Sequence, residues 1–303
     1  MADAPRLVRD YVEVLVVLVV AALALLVPDP GRWLADRHAV DVALAALVLI
    51  TALGIPAGAA AALARHRIRL LATLGVVAVV LPFLGWLASR LVADEVLRHG
   101  VLSLGVAPAE VASVAAVGVA DGDTAAGSGL LIGSTLLAVL VAGPVLSLSG
   151  GGGHAVDVGG VLANLALIVA LPLLVGLALR HRLASSPVRT RLEELGPVVL
   201  VAVLVGLVAS EVHLSRAYLG VLAALVVFVV GSTGLGLALA RGEDRGLGRA
   251  VLLTTAMRDF AIAAGIATSA FGVASAGPLG LYGVLVIIWG LAVAGFLRRR
   301  TRS

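Results

Sequence analysis

The chain has 303 residues, of which 61% are hydrophobic and 13% charged, with a mean hydropathy of +1.13. Soluble domains run near half apolar and a quarter charged, so this surplus has no soluble core to fill and points to lipid as the solvent. Cysteine is absent, which excludes disulfides, thiolate metal sites and cysteine nucleophiles; all 22 basic residues are arginine and aromatics are only 4%, which argues against a nucleic-acid partner.

Crossing a bilayer takes roughly 17–25 apolar residues. Runs of that kind predict spans over Tyr11–Val27, Val40–Leu63, Leu70–Val92, Val101–Ala120, Thr124–Leu148, Val158–Leu179, Gly196–Val212, Ala217–Ala240, Ala250–Val273 and Pro278–Leu297. None alternates polar and apolar residues with period two, so helices are expected rather than a barrel. The first run begins after Arg6 and Arg9 but ends Leu25-Leu26-Val27-Pro28-Asp29 without a small-x-small cleavage site, so it reads as a retained helix. The 36 glycines suit close helix packing in lipid.

Ten spans put both termini on one side. That side carries 16 of the arginines, in groups at Arg6, Arg65, Arg180, Arg241 and Arg298 and their neighbours. The other side carries five (Arg32, Arg37, Arg90, Arg98 and Arg216), and Arg258 lies within a span. This asymmetry predicts a cytoplasmic membrane protein with both termini in the cytoplasm. The two halves also correspond weakly: Val101-Leu102 opens the fourth span and Val251-Leu252 the ninth, as expected for an inverted repeat dividing at 1–150 and 151–303.

Charges inside a membrane cost about 2.5–3.5 kcal/mol each on insertion scales, so they mark sites. Glu110 follows Pro108, where the fourth helix is expected to break. Arg258 and Asp259 are adjacent and serve one site only if the backbone unwinds there. Two roles stay open for Arg258: it ties two crossing helices by pairing with Glu110 or Asp259, or it presents positive charge to an anionic substrate or in place of a coupling cation. Asp121 and Asp123 read as a turn capping the fifth helix, Asn164 as a helix–helix hydrogen bond, and Glu13 as interfacial. All six histidines (His38, His66, His99, His154, His181 and His213) are expected at span ends or in loops, away from any general-base or metal role. Ser149–Gly153 with His154 reads as a hinge between halves. Ser128, in Gly127-Ser128-Gly129, has no histidine to activate it, and no His-Glu-x-x-His motif occurs, so an enzyme is not expected. The tail Arg298–Arg302 suits anionic lipid. A channel or a membrane sensor remains an alternative to a transporter.

Three segments and one fainter echo carry a family resemblance. Leu81-Pro82-Phe83-Leu84-Gly85-Trp86 is similar to the Pro-x-x-Gly-Trp signature of the bile acid:sodium symporter superfamily. Ala107-Pro108-Ala109-Glu110-Val111-Ala112-Ser113, followed by Gly122-Asp123, resembles its Pro-Gly-Gly-Thr-Ala-Ser-Asn…Gly-Asp stretch. Met257-Arg258-Asp259-Phe260 falls where the family has the end of Glu-Val-Gly-Met-Gln-Asn, and Ala52-Leu53-Gly54-Ile55 is the echo. The resemblance implies an all-α polytopic membrane protein of ten helices in two inverted five-helix repeats. Helices four and nine would break and cross, with a panel domain near 1–66 and 154–212 and a core domain near 67–150 and 213–303. It implies a secondary transporter or facilitator of a small organic anion, with a site around Pro108, Glu110, Ser113, Thr254, Met257, Arg258 and Asp259.

The departures concern sodium. At positions where sodium-coupled members place oxygen ligands, this chain has Val77, Val114, Gly127, Leu131, Thr254 and Arg258. A hard cation needs several oxygens, and valine and leucine side chains supply none. The expectation is transport without sodium, with no cofactor or metal, and either uniport or proton coupling through Glu110 or Asp259. A cysteine-free chain disfavours the arsenite branch of the superfamily. Oligomeric state and substrate identity are not set by the sequence.

Overall fold

A computed structural model of the chain describes all residues except 1–14, 17–18, 36, 56–57, 150–155, 183–186, 213–214 and 303. Glu13, the Gly150–Gly153 hinge, His154 and His213 lie outside the described residues, as does most of the first half of the first predicted span. The described segments are helical throughout: α1 (19–26), α2 (Asp29–Ala35), α3 (Ala39–Gly54), α4 (Gly58–Arg65), α5 (Arg67–Ser89), α6 (Glu95–Val106), α7 (Val111–Val119), α8 (Thr124–Ser149), α9 (Val158–Leu165), α10 (Leu171–Arg182), α11 (Pro187–Ala209), α12 (Ala217–Leu239), α13 (Arg245–Ala256), α14 (Phe260–Phe271) and α15 (Gly277–Arg302). A π-helical turn, Ala166–Ala170, joins α9 to α10 just before Pro172, whose ring nitrogen has no hydrogen for a helical bond.

Four aspartates outside the crossover are helix caps. Asp94 accepts from the Leu97 amide at 3.0 Å, Asp123 from Ala126 at 2.9 Å, Asp157 from Gly160 at 3.0 Å and Asp244 from Gly246 at 2.9 Å. Each satisfies an amide that the first helical turn leaves without a partner.

Among the described residues, five helices are long and apolar enough to cross a membrane: Arg67–Ser89, Thr124–Ser149, Val158–Arg180, Ala217–Leu239 and Val273–Arg300; α2 with α3, bent by 76°, adds a sixth only if the pair counts as one span. The predicted span Val40–Leu63 is not one helix. Ile55 is extended (φ −62°, ψ 126°) and separates α3 from α4, as expected of a residue that precedes proline. The fourth and ninth predicted spans are each two short helices, α6 with α7 and α13 with α14, so neither counts as a long one.

The Pro-x-x-Gly-Trp stretch explains how α5 meets α6. A Cβ on Gly105 of α6 would lie 2.8 Å from the Leu81 carbonyl oxygen and 2.8 Å from the Pro82 Cα, and Gly85 lies opposite. Only a pair of glycines lets these two backbones come so close. In the second half, Gly236 of α12 approaches the Leu252 carbonyl oxygen of α13 in the same manner, at 2.8 Å from an added Cβ. The Gly122-Asp123 turn is similarly tight: Gly122 sits against Val117 and Arg249, and Arg249 donates to the Ala120 carbonyl at the end of α7.

A candidate site where two broken helices cross

Both breaks leave an extended stretch in the middle of the bundle, and the two stretches pair. Ala109 and Arg258 form an isolated antiparallel bridge. The Glu110 amide donates to the Met257 carbonyl and the Asp259 amide to the Pro108 carbonyl, each at 2.9 Å. Residues 101–110 and 250–264 are buried without exception, so every backbone group freed by the breaks needs a partner inside the protein.

The partners are side chains from neighbouring helices. The Ala109 amide donates to Ser134 Oγ on α8 at 3.0 Å, and the Arg258 amide donates to the Tyr282 hydroxyl on α15 at 3.1 Å. Ser232 on α12 donates to the Ala256 carbonyl at 3.1 Å, where α13 ends. Arg258 itself serves the carbonyl ends. Its Nε donates to the Ala107 carbonyl at 3.0 Å, a terminal nitrogen donates to the same oxygen, and the other reaches the Thr254 carbonyl at 3.4 Å. Its guanidinium thus lies at the C-terminal ends of both α6 and α13, where the helix dipoles concentrate negative potential.

The carboxylates sit at the opposite poles. Asp259 caps its own helix, accepting from the Ile262 amide at 2.8 Å. Glu110 makes no side-chain bond to α7 and instead accepts from the Phe260 amide of α14 at 3.3 Å. Half-helix N-termini carry positive potential, so both carboxylates are where charge is best tolerated. Exposure is 2% for Glu110, 4% for Arg258 and 1% for Asp259.

One sequence expectation is changed by this geometry. Arg258 does hold the crossover together, but through the Ala107 and Thr254 carbonyls; among the described residues it forms no salt bridge with Glu110 or Asp259. The unwound backbone directs adjacent side chains to opposite poles. The remaining site residues lie close by. Pro108 lends its carbonyl to the bridge, and Met257 is buried against Gly290 of α15. Thr254 is buried with its hydroxyl turned back to the Ala250 carbonyl at 2.7 Å. Ser113, on the first turn of α7, is fully buried and its hydroxyl oxygen has no hydrogen-bond partner.

The positions expected to have lost sodium ligands are also packed as apolar surface. A Cβ on Gly127 would meet the methyl carbons of Val117 at 3.6 Å and Thr254 at 3.8 Å. Leu131 is 5% exposed, and Val114 is half-buried. Val77 lines a cavity of about 20 Å³ that Ser134 and Arg258 also border, room for a single water.

Other polar residues behave as structure. Asn164 donates to Ser269 Oγ at 2.5 Å, linking α9 to α14, and Ser128 donates to the Thr124 carbonyl at 2.8 Å within its own helix. His99 departs from the expectation for histidines: it lies inside α6, is 7% exposed and stacks on Phe271 with ring centroids 4.0 Å apart. Ser134, Ser232 and Tyr282 were missed from the sequence. A signal existed for Tyr282, one of three tyrosines in the chain and placed within an apolar span, since a buried tyrosine hydroxyl usually has a partner.

The fold and site define a multi-pass helical membrane protein organised around two interrupted helices that meet end to end. Residues 38–221 match the family model described as the Sodium Bile acid symporter family, and the chain belongs to that family. The matched region takes in the first break and ends before the second. The family comprises transporters, not enzymes. No curated protein matches the chain in sequence.

Proposed function

We propose that the protein is a secondary transporter of the cytoplasmic membrane that works by alternating access and is not driven by sodium. In this reading it has ten spans in two inverted five-helix repeats (1–150 and 151–303) and both termini in the cytoplasm. A panel domain (about 1–66 and 154–212) rocks against a core domain (about 67–150 and 213–303) that carries the crossover. Support for two repeats comes from the matched form of the breaks: Glu110 and Asp259 both at N-cap positions, Ser134 with Tyr282 as acceptors for the bridge amides, and Gly105 with Gly236 as close-packing points.

The observation that carries the coupling reading is the place of the Arg258 guanidinium. It lies at both C-terminal half-helix ends and borders the same small cavity as Val77, a position where sodium-coupled relatives have an oxygen ligand. A tethered cation there does electrostatically what a bound ion would do, and the apolar lining at Val77, Leu131 and Gly127 leaves no oxygen cage. Coupling then falls to a proton, because Glu110 and Asp259 outnumber Arg258 by one charge. The resemblance favours a small organic anion as substrate.

Thermal unfolding of the detergent-purified protein in sodium, potassium and choline chloride at matched ionic strength tests the sodium clause. A ligand bound only to the native state raises stability by RT ln(1 + [L]/Kd), so equal midpoints are expected. Selective stabilisation by sodium, or taurocholate uptake into proteoliposomes that stops when choline replaces sodium, overturns it.

A further inference from the structure

We infer that the groove between α1, α11, α12 and α15 holds one acyl chain of a phospholipid, whose phosphate sits at Arg216. The inference needs only that α12 and α15 cross the membrane, so it stands or falls apart from the transporter reading.

The groove has a volume of about 700 Å³ and is lined by apolar residues alone. On one face of α12 it is bordered by Leu222, Val226 and Val230, and α15 supplies a wall from Gly280 to Ala292. The indole nitrogen of Trp289, a polar atom on that wall, donates to Thr233 Oγ1 at 3.1 Å and is already satisfied. A solute with carboxylate or hydroxyl groups along its length would find no partner there. Folded proteins leave few voids larger than a water, so a groove of this size calls for an occupant. Both walls belong to long apolar spans, which puts hydrocarbon beside it. A second copy of the chain would meet the groove with a convex helix and cover it without filling it. The length suits a lipid tail: from Gly280 to Ala292 the wall rises about 18 Å. Half of a bilayer's hydrocarbon core is about 15 Å deep.

The polar end is set by the loop between α11 and α12. A Cβ on Gly280 would lie 3.0 Å from the Ala209 amide nitrogen, so the start of α15 and the end of α11 meet at this rim. Arg32 Nε donates to the neighbouring Ser210 carbonyl at 3.0 Å. Glu211 follows and Asp29 opens α2, so the rim is mixed in sign. Arg216, exposed at the start of α12, forms no ion pair among the described residues and is the cation left for a phosphate. Moving a tail from bilayer to groove gains no hydrophobic free energy, because lipid tails are as apolar as leucine. Dispersion contact with several walls and the charge at the rim are what favour it.

Tryptophan fluorescence in proteoliposomes tests this, with phospholipids brominated on the acyl chain as the quenching probe. Trp33→Phe with Trp86→Phe leaves Trp289 as the reporter in the groove. The reference is Val79→Trp with all three native tryptophans changed to Phe, since Val79 is 71% exposed and lies near the middle of α5, outside the groove. Brominated phosphatidylglycerol is expected to half-quench Trp289 at an about three- to fivefold lower mole fraction than brominated phosphatidylcholine, while the reference responds equally to both. Filling the groove by Val226→Phe with Ala292→Phe is expected to remove most of the Trp289 quenching, and Arg216→Gln to bring the two lipids together. Matching curves at both reporters mean ordinary boundary lipid and overturn the inference. So does an unquenched Trp289 in folded protein, the outcome if a second copy covers the groove. Full quenching in a filled variant that keeps its melting temperature also overturns it, and selectivity that survives Arg216→Gln overturns the placement of the phosphate.

Discussion

The two limbs of the crossover have the same backbone task and solve it with different residues. In each limb a helix ends, three or four residues run extended, and an acidic residue starts the next helix: Ala107 to Glu110 in the first, Met257 to Asp259 in the second. Each lends one carbonyl and one amide to the other. The bridge amides then go to unlike acceptors, Ser134 for Ala109 and Tyr282 for Arg258. The carbonyl ends differ most. Ala256 is satisfied by the neutral hydroxyl of Ser232, whereas Ala107 is satisfied by a guanidinium. Two-fold geometry is therefore a demand of the backbone, while positive charge is a choice made in one limb only. That asymmetry is where this chain departs from the sodium-coupled pattern it resembles.

The largest expected effect breaks the asymmetry outright. Arg258→Ala removes the cation from two helix C-termini and leaves Glu110 and Asp259 without a counter-charge. Removing one member of a buried charge set costs about 3–5 kcal/mol. The variant should melt far below the parent and carry no flux. Moving the charge to the other limb, as Ala109→Arg with Arg258→Ala, should not restore either property, because Ser232 already occupies the Ala256 carbonyl. Restoration by that swap would show that the limbs are interchangeable.

Next come the two close helix contacts. Gly105→Ala and Gly236→Ala each push a methyl to 2.8 Å from a carbonyl oxygen, of Leu81 and Leu252 respectively. Overpacking of this kind costs about 1–3 kcal/mol. Equal losses in chemical-denaturation or thermal-melt comparisons are expected if the halves are built alike; a loss in one half only would confine the correspondence to the crossover.

These contacts also show what the sequence made legible. The breaks were readable, since Pro108 and the pair Arg258-Asp259 interrupt otherwise apolar runs, and the Pro82–Gly85 motif marked the face that receives α6. The direction taken by Arg258 was not, because it depends on how the unwound backbone aims two adjacent side chains. Nor were Ser134 and Ser232, single hydroxyls in long apolar helices where serine is ordinary. His99 lies just before the predicted run Val101–Ala120, so nothing in the pattern marks it as buried against Phe271. Counting long continuous helices misses the interrupted ones, where the site lies.

A smaller effect separates the two acceptors. Tyr282→Phe strands the Arg258 amide and Ser134→Ala strands the Ala109 amide, each at a cost of about 1–2 kcal/mol for a buried donor left unpaired. The small cavity beside Ser134 and Arg258 holds room for one water, which could take over the Ala109 amide. Ser134→Ala is therefore expected to be the milder of the two in melting temperature. The reverse order would mean that the amide of the second limb is better hydrated than its burial suggests.

The smallest effect asks whether Arg258 stands in for an ion. Arg258→Gln with Val77→Gln returns an amide oxygen to each of two positions where relatives hold sodium, both lining one small cavity. Removing the fixed charge and adding oxygens should let sodium, but not choline, stabilise the double variant. The gain is small at modest affinity, about 0.4 kcal/mol when sodium equals its Kd. It should be absent from Val77→Gln alone, where the guanidinium still repels a cation. Sodium selectivity in the single variant, or none in a folded double variant, would mean that the guanidinium pins helix ends without substituting for a bound ion.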